Sequence, residues 1–253
     1  MQRLAILLYG IVCYIVFFAT FLYAVGFIGN FLAPKSIDGP ASGDWMTSLL
    51  VDVGLLLVFA AQHSVMARPA FKRWWTRFVP EVAERSTYVL MSSVALIVLF
   101  LGWRPLGGTI WSATQPWLVN LLYAGFAFGW LLVLVTTFLI NHFDLFGLRQ
   151  VWLNFRGQPY TRLSFVTPGP YRWVRHPLYV GWLFAFWCIP LMTATHLLFA
   201  LATTAYILLA IGWEERDLVA AMPEYSAYQK QVPMLIPRLS KPIPDETTAP
   251  EIR

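Results

Sequence analysis

The chain has 253 residues, of which 58% are hydrophobic and only 12% charged, with a formal net charge of +5 and a mean hydropathy of +0.60. Soluble domains carry about 25% charged residues, so this composition excludes a soluble enzyme. It also turns the basic balance away from nucleic acid and towards positively charged cytoplasmic loops of a membrane protein. Several apolar runs reach the roughly 20 residues that a helix needs to cross the hydrocarbon core, and too few residues remain for a separate soluble domain.

The first run, residues 4–32, is too long for the core of a cleavable signal peptide and reads as a transmembrane helix. Gly26, Gly29 and Asn30 mark its end, and a polar turn-rich loop, 34–44, follows. A second helix is expected over 47–66, carrying Asp52, Gln62 and His63. Next come a basic loop, 67–85, a third helix over 86–103, a short loop, 104–116, and a fourth helix over 117–140. An amphipathic stretch, 141–177, leads to the last apolar run, 178–212, which is too long for one span. Pro190 and Thr193-Ala194-Thr195-His196 interrupt it, so a helical hairpin is expected: out through 178–192, back through 197–211, with His196 in the connecting loop. The tail from Trp213 is polar, and beyond Pro237 it is rich in proline and acidic residues, a composition that stays disordered.

The fold class expected is therefore all-α: a polytopic integral membrane helical bundle of five to six transmembrane segments with a C-terminal helical hairpin. Lysine and arginine counts set the orientation. The 67–85 loop, the 141–177 stretch and the tail carry five each, whereas the two intervening loops carry one each, Lys35 and Arg104. Both termini then face the cytoplasm, as in a bacterial inner membrane. Cys13 and Cys188 both lie inside apolar runs without ligand-spaced partners, so neither a structural disulfide nor a metal site is expected.

Ionisable groups at membrane depth are candidate functional groups by default. Two clusters bracket the hairpin: Thr167 to Tyr179, TPGPYRWVRHPLY, and Trp213-Glu214-Glu215-Arg216-Asp217. A hairpin returns its ends to one membrane face, so the clusters meet. Arg175, His176, Glu214 and Glu215 offer both signs of charge, and Tyr171, Tyr179 and Trp213 offer aromatic faces. A ligand with a carboxylate, an amine, ribose hydroxyls and a flat base suits that set, because guanidinium binds carboxylate bidentately and aromatic faces attract cations. A single arginine or glutamate in such a place more often anchors a helix end; the pairing of two clusters favours the ligand. Asn141 to Gln150 supplies His142, Asp144 and Arg149, which fit either a proton-handling set or an aspartate cap. Gln62-His63-Ser64 ends the second helix, with Arg68 a turn beyond. A lone histidine there is more often structural. No glycine-rich phosphate loop, HExxH or CxxC is present.

Gly169-Pro170-Tyr171-Arg172-Trp173-Val174-Arg175-His176-Pro177-Leu178-Tyr179-Val180-Gly181 resembles the GPYxxVRHPxYxG signature of the isoprenylcysteine carboxyl methyltransferase superfamily. Glu214-Glu215-Arg216-Asp217-Leu218, followed by Tyr225, Tyr228, Val232 and Pro233, resembles its second signature. Together they cover residues 167–237. Gln62 to Pro69, Glu84 to Tyr88 and Asn141 to Gly147 look like the NnrU-type branch, most of all its membrane-bound methanethiol S-methyltransferases. The resemblance implies S-adenosylmethionine as cofactor, bound through Tyr171, Arg175, His176, Tyr179, Glu214 and Glu215. It also implies a small apolar thiol, methanethiol, as acceptor and dimethyl sulfide as product. It divides the chain into a four-helix transmembrane part, 1–140, a cofactor-binding part, 141–240, and the tail, 241–253. A thiol needs to lose its proton before it attacks, and the side chains in view for that catalytic task are His63, His142 and Asp144, supported by Arg104 or Arg149. A prenylcysteine carboxylate or a lipid amine remains an alternative acceptor, and a non-enzymatic NnrU-like accessory protein an alternative role. No protein partner is implied.

Overall fold

The computed structural model describes residues 1–41, 43–161 and 163–238. Arg162, one of the basic residues of the 141–177 stretch, and the acidic tail from 239 onward lie outside the described residues. In chain order the elements are α1 (Gln2–Gly29), α2 (Trp45–Ala67), α3 (Pro69–Trp75), α4 (Glu81–Gly102), β1 (Thr109–Ser112), α5 (Pro116–Ile140), α6 (His142–Leu145), α7 (Leu148–Phe155), α8 (Pro177–Trp187), β2 (Leu191–Thr193), α9 (Ala194–Ala221) and α10 (Glu224–Gln231). Five of them, α1, α2, α4, α5 and α9, are long and apolar enough to cross a membrane. The protein is an all-α polytopic membrane protein, as its composition demands.

The ends of the spans follow local chemistry. Asn30 stops α1 in the left-handed region at φ 60° and donates its N–H to the Gly26 carbonyl, at the end that Gly26, Gly29 and Asn30 mark in the sequence. Asp44 caps α2 by accepting from the Thr47 N–H at 2.9 Å. Pro69 and Pro116 open α3 and α5, where proline's missing N–H costs nothing. The third span begins at Glu81 rather than 86, because Glu81 and Glu84 occupy the first turn of α4, where acidic groups complement the helix dipole.

The hairpin departs most from expectation. Its outward limb is helical only over Pro177–Trp187, 11 residues, or about 16 Å of rise. Cys188 to Pro190 turn out of the helix, with Ile189 N–H donating to the Trp187 carbonyl at 3.0 Å, and only Leu191–Thr193 is extended. Extended backbone in a bilayer must find partners for its polar groups. β1, within what reads in sequence as a short loop, supplies them as an antiparallel partner: Thr109 lies opposite Thr193, and Trp111 opposite Met192. Ala113 N–H donates to the Pro190 carbonyl at 2.9 Å. His196, expected in the connecting loop, lies instead in the first turn of α9 and is wholly buried. Its ring nitrogens meet Asp38 Oδ2 at 2.8 Å and the Phe186 carbonyl at 3.0 Å, and Thr193 donates its hydroxyl to Asp38. This far end is thus knotted by one aspartate that holds the α1–α2 loop against the hairpin tip.

The core is aromatic and aliphatic, with Phe27, Leu99, Trp103, Phe126, Trp130 and Phe199 in one buried cluster. Leu8, Val12, Leu57, Leu121 and Leu131 stay exposed, which suits lipid-facing surfaces. α5 and α8 cross at Gly129 and Gly181: a Cβ on Gly129 would lie 2.5 Å from the Ala185 nitrogen and 2.6 Å from the Gly181 carbonyl oxygen. Small residues let helix backbones approach in this way in membranes. Gly181 is also the last residue of the first signature, so its identity there follows from packing against α5.

Gly129→Val is expected to force the two backbones apart and to destabilise the protein by about 3 kcal/mol, read as a lowered thermal midpoint in detergent. Gly54→Ala, inside α2 where an added Cβ meets nothing within 4 Å, should not lower the midpoint, since alanine is the better helix former.

Candidate functional site

The two clusters that bracket the hairpin do meet. Pro168 and Pro170 prevent a helix and set a 3-10 turn, Gly169–Arg172, after which Arg175 and His176 run alongside the C-terminal segment. Their backbone N–H groups donate to the Pro233 carbonyl at 2.9 Å and the Met234 carbonyl at 3.2 Å. Pro177 then starts α8. This path aims both side chains at Glu215 on α9. Glu215 is 9% exposed. Its Oε1 accepts from Arg175 Nε at 2.6 Å and from His176 Nε2 at 2.9 Å, and its Oε2 from Gln229 Nε2 at 2.7 Å. Arg175 Nη1 donates further to the Gln229 and Val232 carbonyls. Tyr228 donates its hydroxyl to the Tyr171 carbonyl, and Tyr225, Tyr228 and Val232 form a small core with Phe165 and Leu218 against them. Arg175, His176 and Glu215 therefore satisfy one another and bind the first signature, α9 and α10 into one frame.

Glu214, Tyr179 and Tyr171 stand beside that frame with more of their surface open. Tyr179 donates its hydroxyl to Glu214 Oε2 at 2.9 Å. Burial pushes the Tyr171 phenol above its ordinary value, and the Glu214 charge adds to the shift. Arg68 lies over the Trp213 ring at 5.9 Å and pairs with Asp217 at 3.0 Å.

The same Arg68 brings the end of α2 to this site. Ser64 and Arg68, one turn apart, face α9: Ser64 Oγ meets Tyr206 Oη at 2.9 Å. His63 turns the other way, towards α4. Its Nδ1 meets Ser92 Oγ at 3.2 Å, and Tyr88 Oη lies 3.1 Å from Nδ1 and 3.0 Å from Nε2. Phe59 stacks on the imidazole with centroids 5.4 Å apart. Arg85 sits over the Tyr88 ring at 5.1 Å and donates through Nε to the Leu145 carbonyl at 2.7 Å, so it ties this cluster to the segment that carries His142 and Asp144.

His142, Asp144 and Arg149 form their own group on the α1 side. His142 is buried between Tyr14 and Thr137, with both hydroxyls at 2.8 Å from its ring nitrogens, and stacks on Phe138 at 4.1 Å. Burial lowers its pKa. Asp144 pairs with Arg149 at 2.9 Å and accepts from the Tyr160 hydroxyl at 3.3 Å, while Asn141, rather than Asp144, caps α6 by accepting the Asp144 N–H at 3.0 Å. Arg104 is not brought to any of these groups. It follows the opposite end of α4, about 25 Å from Arg85 along the helix, where its backbone N–H donates to Asp52 at 2.9 Å. Tyr88, Ser92, Arg85 and Tyr206 were not singled out one by one in the sequence. The spacing of Tyr88 and Ser92, four apart on one helix, places them on one face, but which partner that face meets depends on tertiary packing.

The family model for phospholipid methyltransferases matches residues 124–222, from within α5 to the end of α9, and so includes the first signature and Glu214–Leu218 of the second. The chain is 57% identical over 242 residues to the methanethiol S-methyltransferase of Crocosphaera subtropica, covering 95% of each chain. It is 51% identical over 238 residues to the enzyme of that name from Mycobacterium tuberculosis, covering 94% of this chain and 98% of the relative. The chain belongs to the methanethiol S-methyltransferase family. A more distant relative of this family member is nurim from Bos taurus, 33% identical over 181 residues, or 68% of this chain and 69% of nurim. No solved structure matches the chain. For a methanethiol S-methyltransferase family member, the geometry divides labour between neighbouring glutamates, and this can be measured. Glu215→Ala leaves Arg175 buried without its partner and should cost about 3–5 kcal/mol, seen as a lowered thermal midpoint of the ligand-free protein. Glu214→Gln, which leaves the Arg175–Glu215 pair intact, should leave that midpoint in place.

The His142 environment sets a pH dependence. Its folded pKa is depressed, so the stability linked to it is fully present above the unfolded value of about 6.5. As pH falls below that value the unfolded chain takes the proton first, and stability is lost. The thermal midpoint should fall between about pH 7.5 and 5.5, and less steeply in His142→Gln.

Proposed function

We propose that this chain transfers a methyl group from S-adenosylmethionine to the sulfur of methanethiol, giving dimethyl sulfide and S-adenosylhomocysteine. We place it in a bacterial inner membrane, with both termini and the cofactor site on the cytoplasmic side. The observation that carries this reading is the identity to the Crocosphaera subtropica methanethiol S-methyltransferase over 95% of both chains.

The residues at the signatures fit the cofactor. Tyr171 and Tyr179 offer aromatic faces to a cation, and Glu214 offers a carboxylate to an ammonium or to ribose hydroxyls. Arg175, His176 and Glu215 hold those three in place through the frame on α9. When bound, S-adenosylmethionine supplies a methyl group on a positively charged sulfur. In-line displacement at such a centre depends above all on positioning, which a rigid frame provides.

The acceptor needs a base. An alkanethiol has a pKa near 10, about 1.5 above a cysteine thiol, so little thiolate exists at neutral pH. His63 fits the role of proton acceptor, because neutral imidazole serves near pH 7. Phe59 and the surrounding spans form an apolar setting for a small thiol arriving through lipid, and they keep water from the electrophile. His142, Asp144 and Arg149 support from a distance by ordering the segment whose Leu145 carbonyl anchors Arg85.

The test is headspace detection of dimethyl sulfide from purified protein given methyl-labelled S-adenosylmethionine and methanethiol. Labelled product is expected, and His63→Ala should reduce it by roughly 100-fold or more. Cofactor binding without product would replace the acceptor by another nucleophile, and absence of both would leave an accessory protein.

A further inference from the structure

α3 follows α2 after a single residue, Arg68, so it sits where a span leaves the bilayer. Its helical path runs on to Phe78, because the Arg77 and Phe78 N–H groups donate to the Trp74 and Trp75 carbonyls at 3.3 and 3.0 Å. Residues four apart therefore share a side. On the inner side Phe71 packs with Met66, Tyr88 and Val89, and Trp75 stacks on Phe71 at 5.8 Å. On the outer side stand Arg73, Trp74, Arg77 and Phe78, all exposed. Trp74 is 47% and Phe78 69% exposed, and their rings meet edge to face at 5.4 Å. Neither guanidinium has an ion-pair or hydrogen-bond partner among the described residues, although Glu81 and Glu84 stand close by in the first turn of α4.

Two large exposed rings at the end of a span belong in the headgroup layer, where aromatic side chains concentrate. The two arginines beside them are like charges four apart, which repel on a helix. A phosphate between them removes the repulsion, and guanidinium meets phosphate oxygens bidentately. A choline head group would bring a further cation to the same place, so the pair favours a lipid of net negative charge. We propose that the outer face of α3 binds an anionic phospholipid, with its phosphate between Arg73 and Arg77 and its acyl chains along Trp74 and Phe78. The occupant is a lipid rather than free phosphate because the rings set an apolar surface beside the two charges. The site is independent of the methyl acceptor and of the reaction.

The experiment titrates the purified full chain, in a neutral detergent, with phosphatidylglycerol carrying brominated acyl chains. A parallel titration uses phosphatidylcholine with the same chains. Bromine quenches tryptophan fluorescence on contact, and phosphatidylglycerol is expected to quench at the lower concentration. A basic residue near an anionic lipid surface is worth about 5-fold in affinity. Arg73→Gln with Arg77→Gln should therefore lose roughly 25-fold for phosphatidylglycerol and bring the two curves together. Arg77→Gln alone should lose about 5-fold, and it serves as the test should the double variant fail to fold. Trp74→Phe should keep the preference but lose part of the quenching. Inorganic phosphate in millimolar excess should displace no lipid. Equal quenching by the two lipids, an unchanged preference in the glutamine variants, or undiminished quenching in Trp74→Phe would overturn the lipid site. Displacement by inorganic phosphate would also overturn it and leave a simple anion site.

Discussion

A carboxylate near the end of a membrane helix, 9% exposed, holds the signature-bearing end of this protein together. Glu215 is costly to bury alone, and the chain meets that cost with an arginine, a histidine and a glutamine drawn from two other segments. Those contacts bring the 3-10 turn, α8, α9 and α10 to one place, and the neighbouring Glu214 and the tyrosines take their positions from it. Without Glu215, Arg175 and His176 lose their side-chain partner on α9, and the segments are held by the Tyr179–Glu214 bond and by bonds to backbone carbonyls. The adjacent glutamates thus differ by geometry alone: successive residues on a helix point about 100° apart, so one faces the frame and the other the site.

Much of this was legible in the amino-acid order. Apolar length alone separates the five spans, and the bracketing of one apolar run by two charged clusters is enough to bring Arg175 near Glu215. The allocation of those charges was not legible. Hydrogen bonding between Arg175 and Glu215 leaves Glu214 and the phenols as the open groups, and no spacing rule distinguishes two consecutive glutamates by their partners. The short helix of the hairpin's outward limb was also hidden, because Cys188 to Met192 is as apolar as the helix before it, and only the pairing of Leu191–Thr193 with Thr109–Ser112 makes its extended end tolerable. The five-residue error at the start of α4 has a simpler origin: Glu81 and Glu84 read as loop by polarity, whereas a helix N-terminus favours them. His63 was visible as a candidate, but its orientation towards Tyr88 and Ser92, away from α9, follows from the rotation of α2 that Ser64 and Arg68 impose by facing α9.

The two ends of the bundle are built to different specifications. At the far end, Asp38, Thr193, His196 and the β1–β2 pair knot the loops, and nothing among the described residues there resembles the open phenols of the opposite end. Arg104 belongs to this end, which explains why its charge stands apart from the histidines. At the signature-bearing end, polar groups are held on three separate seams: Arg175 to Glu215, Arg68 to Asp217, and Arg85 to Leu145. An arginine serves each, since a guanidinium combines charge with several directed donors.

The crossing of α5 and α8 at Gly129 and Gly181 has a mechanical consequence. Backbones in direct contact cannot slide or tilt without overlap, so this pair moves as one stiff panel. The seam between α2 and α9 is of another kind, closed by the hydroxyl pair Ser64–Tyr206 and by an Arg68–Asp217 bridge whose side chains are 36% and 47% exposed; such exposed bridges contribute about 0–1 kcal/mol. Compliance is therefore unevenly distributed around the bundle. The α2–α9 seam is the more yielding of the two, and the α5–α8 seam the stiffer.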